Sequence, residues 1–165
     1  LVMFYLADRR IVRALGRAAQ HGIQMRVVLD PNKDAFGREK DGMPNRQVAR
    51  ELAAAGVPVR WAATHGEQMH AKPLRVARAD GSAELLLGSA NFTRRNVRDY
   101  NLEADVRLAG PAAAPALAAA QAYVDRLWSN GGGLTYTTDY WSFADDSRWR
   151  AWKYRFQEAT GLCTW

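Results

Sequence analysis

Between positions 70 and 103 the sequence gathers side chains suited to acting on a phosphate ester. His70 is followed two residues later by Lys72, then by Gly88-Ser89-Ala90-Asn91, and then by Asn101 and Glu103. An imidazole held in one tautomer is a competent nucleophile near neutral pH. Lys72 supplies a cation, and Ser89 and Asn91 supply neutral donors, for the negative charge that develops on phosphate oxygens in a transition state. Glu103 is the candidate for holding the far ring nitrogen of His70, as the third member of a catalytic triad does. Lysine and asparagine take the electrostatic part of a metal ion, so the set requires no metal and no other cofactor.

For these side chains to meet, two strand ends must be brought together. Asp80-Gly81 punctuates two apolar runs, residues 71–77 and 83–87, and predicts a hairpin. Residues two apart on a strand share a face, which sets His70 beside Lys72. Residues 102–108 (LEADVRL) predict the next strand, carrying Glu103, with Asn101 at its start. Upstream, residues 1–6 (LVMFYL), 24–29 (QMRVVL) and 57–61 (VPVRW) read as strands, separated by helical spacing over 7–20 and 45–55. That alternation predicts an α/β sandwich with parallel strands near its start. An alanine-rich helix is expected over 111–128, delayed by Pro115, and a short helix over 145–157 with an Asp or Ser cap.

His-x-Lys followed by Gly-Ser-x-Asn resembles the signature of the phospholipase D superfamily. The stretches LLLGSANFTRRNVRDYNLEADV and DPNKDAFGREKDGMPNR are similar to its bacterial members, and the resemblance covers about residues 1–128 and more loosely the tail. It implies an α-β-α sandwich, a mixed sheet with helices on both faces, forming one lobe of a usually two-lobed or dimeric enzyme. It implies a phosphodiesterase that cleaves or transfers phospholipid headgroups. His70 would attack phosphorus and become a phosphohistidine, Lys72 and Asn91 would bind the phosphate oxygens, Ser89 beside Gly88 would add a contact, and Glu103 would orient His70. A second histidine would protonate the leaving alcohol and then activate water or an acceptor alcohol, a role worth about 10²- to 10⁴-fold.

Two positions depart from that pattern. Ala77 stands where the family has a largely structural aspartate, and Asp80 falls in the predicted turn instead. No second His-x-Lys exists here, because His21 is followed by Ile23 and His65 by Glu67 at the lysine position. The partner histidine is therefore expected from an N-terminal lobe or from a second copy of the chain. The chain starts within an apolar strand, without initiator methionine or basic leader, which favours further sequence upstream and gives no signal peptide. Single-lobe members of the superfamily include homodimeric DNA endonucleases, which supplies a second reading; a non-catalytic half-lobe is a third.

Composition is compatible with an anionic partner. Lys and Arg outnumber Asp and Glu by 23 to 17, a net charge of +6, but the cations are scattered rather than concentrated as in nucleic-acid arms. A chain of 165 residues buries a sizeable core, and Cys163 alone allows no internal disulfide. No run approaches the ~18 apolar residues of a membrane span, and no feature assigns a compartment. Asp30-Pro31-Asn32-Lys33-Asp34 imitates a calcium loop, but Ala35 and Asp41 occupy its glycine and glutamate positions, so it is read as a loop at the mouth of the site, where Lys33 and Arg38 would touch substrate. Residues 1–130 are expected to form the catalytic lobe. Residues 131–165, which hold most of the tryptophans, are expected to pack over it through Trp149, Trp152 and Phe156, a stripe that also suits a membrane surface.

Overall fold

Strand and helix alternate through the first third of the chain, as the apolar spacing predicts, in a computed structural model that describes residues 1–35, 38–98 and 100–162. The order is β1 (Val2–Met3), α1 (Arg9–Gln20), β2 (Val27–Leu29), a small hairpin of β3 (Asp34–Ala35) and β4 (Arg38–Glu39), α2 (Asn45–Ala54) and β5 (Val59–Ala62). β1, β2 and β5 lie parallel, with Val2 beside Val28 and Val28 beside Arg60. Parallel neighbours need crossovers, and α1 and α2 provide them. Successive strand residues point to opposite faces. Met3, Val27 and Leu29 therefore enter one core with residues of α1 and α2, while Val2 and Val28 pack on the other face against Val124 and Trp128.

The middle of the chain is an antiparallel meander of β6 (Leu74–Ala77), β7 (Ser82–Gly88) and β8 (Asp105–Pro111), with the short α3 (Arg94–Val97) ahead of β8. Asp80 shapes the first turn by accepting from the Ser82 N–H and hydroxyl at 2.9 and 2.6 Å. The helix α4 (Pro115–Ser129) sets Leu117 against Ala83 and Leu85. Pro115 opens it, where a missing N–H is harmless. The Val2 N–H donates to the Pro73 carbonyl at 3.0 Å, tying the meander to the parallel strands. The fold is thus a mixed α/β sandwich with helices on both faces.

Several boundaries differ from the sequence pattern. Regular pairing in the first strand stops at Met3, and Leu6 forms an isolated bridge to Phe92. β6 begins at Leu74, so His70 and Lys72 lie in the segment before it rather than on it. β8 begins at Asp105, so Asn101 and Glu103 precede it. The elements that went unforeseen are the β3–β4 hairpin, the short α3, β9 (Thr137–Asp139), which pairs antiparallel with the edge of β5, and a 3-10 turn (Tyr140–Phe143). Cys163 lies outside the described residues.

The last helix, α5 (Arg148–Thr160), is capped by Ser147, whose hydroxyl accepts the Arg150 N–H at 3.3 Å. Its orientation corrects the sequence expectation. Trp149, Trp152 and Phe156 are 67%, 55% and 48% exposed, and the buried face is formed by Tyr154 and Glu158. Apolar spacing measures ring area only, whereas the contact point on the lobe needs a donor as well as a ring. The Tyr154 hydroxyl donates to the Ala7 carbonyl at 2.8 Å and accepts from Arg9 at 3.4 Å. Tyr154→Phe keeps the ring and strands that buried carbonyl, so a loss of about 1–3 kcal/mol is expected, read as a lower urea midpoint with an unchanged slope.

Candidate active site

The segment after β1 runs between the two halves of the motif. The Tyr5 N–H donates to Asn91 Oδ1 at 3.1 Å, and the Tyr5 carbonyl accepts the Phe92 N–H at 3.0 Å. The Phe92 carbonyl in turn accepts the N–H groups of Ala7 and Asp8 at 2.8 and 2.9 Å. On the other side the Phe4 ring lies 4.7 Å from the His70 ring and 5.7 Å from Lys72 Nζ. Phe4 is buried, so it forms the floor beneath both residues.

Lys72 is 6% exposed and His70 is exposed. Lys72 Nζ donates to the His70 carbonyl at 2.8 Å and stands 3.1 Å from Nδ1 and 3.4 Å from Nε2 of the same imidazole. An ammonium has no lone pair, so these contacts require an unprotonated ring nitrogen. Desolvation and the charge of Lys72 both pull the His70 pKa below its ordinary value. Burial likewise lowers that of Lys72, opposed by the nearby carboxylates of Glu103 and Asp105. The result is a neutral imidazole, open to solvent, beside a desolvated cation.

Asn91 is held by the same Phe4–Tyr5 segment that lies against His70 and Lys72. Its Oδ1 is engaged by the Tyr5 N–H, which fixes the amide and leaves Nδ2 available as a donor. Gly88 permits the approach that carries this segment: a Cβ there would sit 2.2 Å from the Ala104 carbonyl oxygen and 2.6 Å from Asp105 Cα. The Ser89 hydroxyl donates to Glu103 Oε2 at 2.5 Å and accepts the Ala104 N–H at 3.0 Å. Glu103 also accepts from the Asn96 amide. The Glu103 carboxylate is therefore hydrogen-bonded to Ser89 and Asn96 rather than to the far nitrogen of His70, and the Ser89 proton is used within the same pair.

Other sequence candidates sit elsewhere. Lys33 reaches the Phe143 ring at 5.9 Å, and Asn101 is exposed and joins none of these hydrogen bonds. The Arg38 side chain lies outside the described residues. Three contributors were missed. Lys40 Nζ donates to the Tyr5 hydroxyl at 3.0 Å, bringing a loop cation beside the segment that holds Asn91. Phe4 looked like core. Asp30 is 2% exposed, and its Oδ2 accepts the Met69 N–H at 2.7 Å, immediately before His70. Its Oδ1 accepts the Asn32 N–H at 2.7 Å, and Asn45 closes the network by donating to the Phe4 and Asp30 carbonyls at 2.6 and 2.8 Å. An acid ending an apolar strand was the available signal for Asp30; nothing local marks Phe4.

A family model described as cardiolipin synthase, PLD-like domain, matches residues 1–128, which include every residue of the cluster. The chain belongs to the phospholipase D-like family. Among solved structures it resembles Nuc, a phospholipase D family member from Salmonella typhimurium, with a TM-score of 0.58 and 20% sequence identity over 84% of this chain and 78% of Nuc. That likeness shows the fold. No curated protein sequence matches the chain. Within this phospholipase D-like lobe, Gly88→Ala forces β8 away from β7 at the cluster. A loss of about 1–3 kcal/mol is expected in chemical unfolding, and relief by a compensating shift would show as an unchanged midpoint.

Proposed function

We propose that this lobe is a phosphodiesterase half-site that works through a covalent phosphohistidine, with phospholipid headgroups as the favoured substrate. The observation that supports the proposal is the contact of His70 with the desolvated Lys72 over the Phe4 ring, with the Asn91 amide held by the N–H of the adjoining Tyr5. An unprotonated ring nitrogen of His70 forms a bond to phosphorus as the bond to the leaving oxygen breaks. Lys72 and Asn91 Nδ2 hold the phosphate oxygens as charge builds on them. Water or an acceptor alcohol then displaces His70. Ser89 and Glu103 act by holding the segment around Asn91 and, for Glu103, by favouring the charged form of Lys72. The phospholipid preference rests on the description of the matching family and on the scattered positive charge.

Protonation of the leaving group falls to a second histidine on another lobe, upstream or in a second copy. Leu87 and Val106 pair across β7 and β8 next to Gly88 and are 42% and 56% exposed. Exposed apolar side chains there suit a docked partner.

Two outcomes are expected. Turnover of bis(p-nitrophenyl) phosphate should persist with a chelator and drop by about 10³-fold or more in His70→Asn, since the covalent route is removed; an equal rate in the variant would refute the nucleophile. The pH dependence follows from the direction of the His70 shift. Attack needs the neutral ring, and its proton affinity is lowered, so the acid limb of kcat/KM should lie below the ordinary histidine value of about 6.5. In NMR titration, Lys72→Met removes the neighbouring charge and should move the His70 midpoint upward.

A further inference from the structure

The surface of α5 carries an aromatic column that neither the core nor the cluster uses. Trp149 and Trp152 stack with centroids 5.0 Å apart and planes at 18°, and Trp152 and Phe156 stack at 5.4 Å and 15°. At 100° per residue the three fall opposite Tyr154 and Glu158, the buried face, so they point directly away from the lobe. The column is bordered by cations. Arg148 and Arg155 flank one side and Lys153 the other. Arg155 meets Glu51 at 3.4 Å and Lys153 meets Asp41 at 3.7 Å, through side chains that remain 62% and 42% exposed. Pairs this long and exposed hold their cations weakly. Arg150 turns back to Asp145, Glu158 is buried, and Asp146, just ahead of the helix, lies 3.8 Å from Arg50. The helix is outside the matched residues 1–128.

The arrangement of the rings discriminates among occupants. Stacking covers both faces of Trp152 and one face each of Trp149 and Phe156. Bases need free faces, so the column is a poor platform for single-stranded nucleic acid. A two-fold contact with a second copy would bring both sets of Arg148, Arg155 and Lys153 together, where like charges repel. Tryptophans bordered by arginine and lysine match the headgroup zone of a bilayer, where the rings sit at the acyl boundary and the cations meet lipid phosphates. No described helix is long and apolar enough to cross a membrane, so contact of this kind would lie in the plane of the interface.

We propose that α5 is an interfacial anchor that docks the lobe on anionic phospholipid bilayers through Trp149, Trp152 and Phe156, with Arg148, Lys153 and Arg155 as its phosphate contacts. The anchor would be rigid relative to the cluster. Arg94, three residues beyond Asn91, donates to the Glu158 and Ala159 carbonyls at 2.9 and 2.6 Å, and Tyr154 is bonded to Ala7. The proposal is independent of whether His70 turns over a substrate.

The test is co-sedimentation of the full chain with large vesicles of phosphatidylcholine alone and of phosphatidylcholine with 30% phosphatidylglycerol. The partition coefficient on the anionic vesicles should exceed that on the neutral ones. It should fall by about tenfold or more in Trp149→Ser/Trp152→Ser/Phe156→Ser, and by a smaller factor, with weaker salt dependence, in Arg148→Gln/Arg155→Gln. All three substituted rings face solvent, so circular dichroism of the triple variant should match the parent; if it does not, Trp149→Ser alone, at the most exposed ring, must still lower the partition. Equal partition of parent and variants overturns the proposal, as does absent binding. Dissociation of a dimer by the triple variant would assign the column to a second copy, and its loss of single-stranded DNA binding would assign it to nucleic acid; either result, without the vesicle effect, also overturns it.

Discussion

The whole site depends on where the backbone leaves β1. A buried peptide group must be paired, and past Met3 the regular parallel ladder gives way to an isolated parallel bridge between Leu6 and Phe92. Residues 4–8 instead exchange hydrogen bonds with Asn91 and Phe92, with the amide of Asn45 and, through Tyr154, with the final helix. One short segment thus satisfies its own polar groups with atoms from three distant stretches of sequence. His70 and Asn91 come together because both sides of that segment are occupied: the segment before β6 on one, the segment after β7 on the other.

The electrostatics follow from this placement. A lysine tolerates burial poorly unless its charge is answered. Lys72 finds a carbonyl, an imidazole, an aromatic face and two nearby carboxylates. Those same contacts keep His70 neutral and aimed outward. Asp30 works from behind, since its carboxylate receives the N–H of Met69 and so sets the direction in which the chain arrives at His70. The buried carboxylate and amides are satisfied by one another and by the backbone, and a network of this kind fixes geometry more firmly than apolar packing does.

The tail follows the same logic from outside. β9 closes the exposed edge of β5, where Arg60 bonds Thr137 and Asp139 at 2.8 and 2.7 Å. α5 then crosses to Ala7 and Arg94. Its buried face was selected by hydrogen bonds that only Tyr154 and the helix carbonyls complete there, which left the larger aromatic area on the surface.

By itself the sequence determined the strand-helix alternation of the first third, the hairpin at Asp80-Gly81, the α/β class and the candidacy of His70, Lys72 and Asn91, because periodicity and spacing are local properties. It also identified Gly88, although not that β8 passes too close for a side chain. Only the tertiary structure decided that Glu103 bonds Ser89 and Asn96, that Lys40 rather than Lys33 stands beside Tyr5, that Phe4 and Asp30 support His70, and that Tyr154 rather than the tryptophans faces the lobe. Each of these is a pairing across many residues of chain. Which partner a polar group meets depends on which strands become neighbours, and no pattern within a single stretch of sequence encodes that choice.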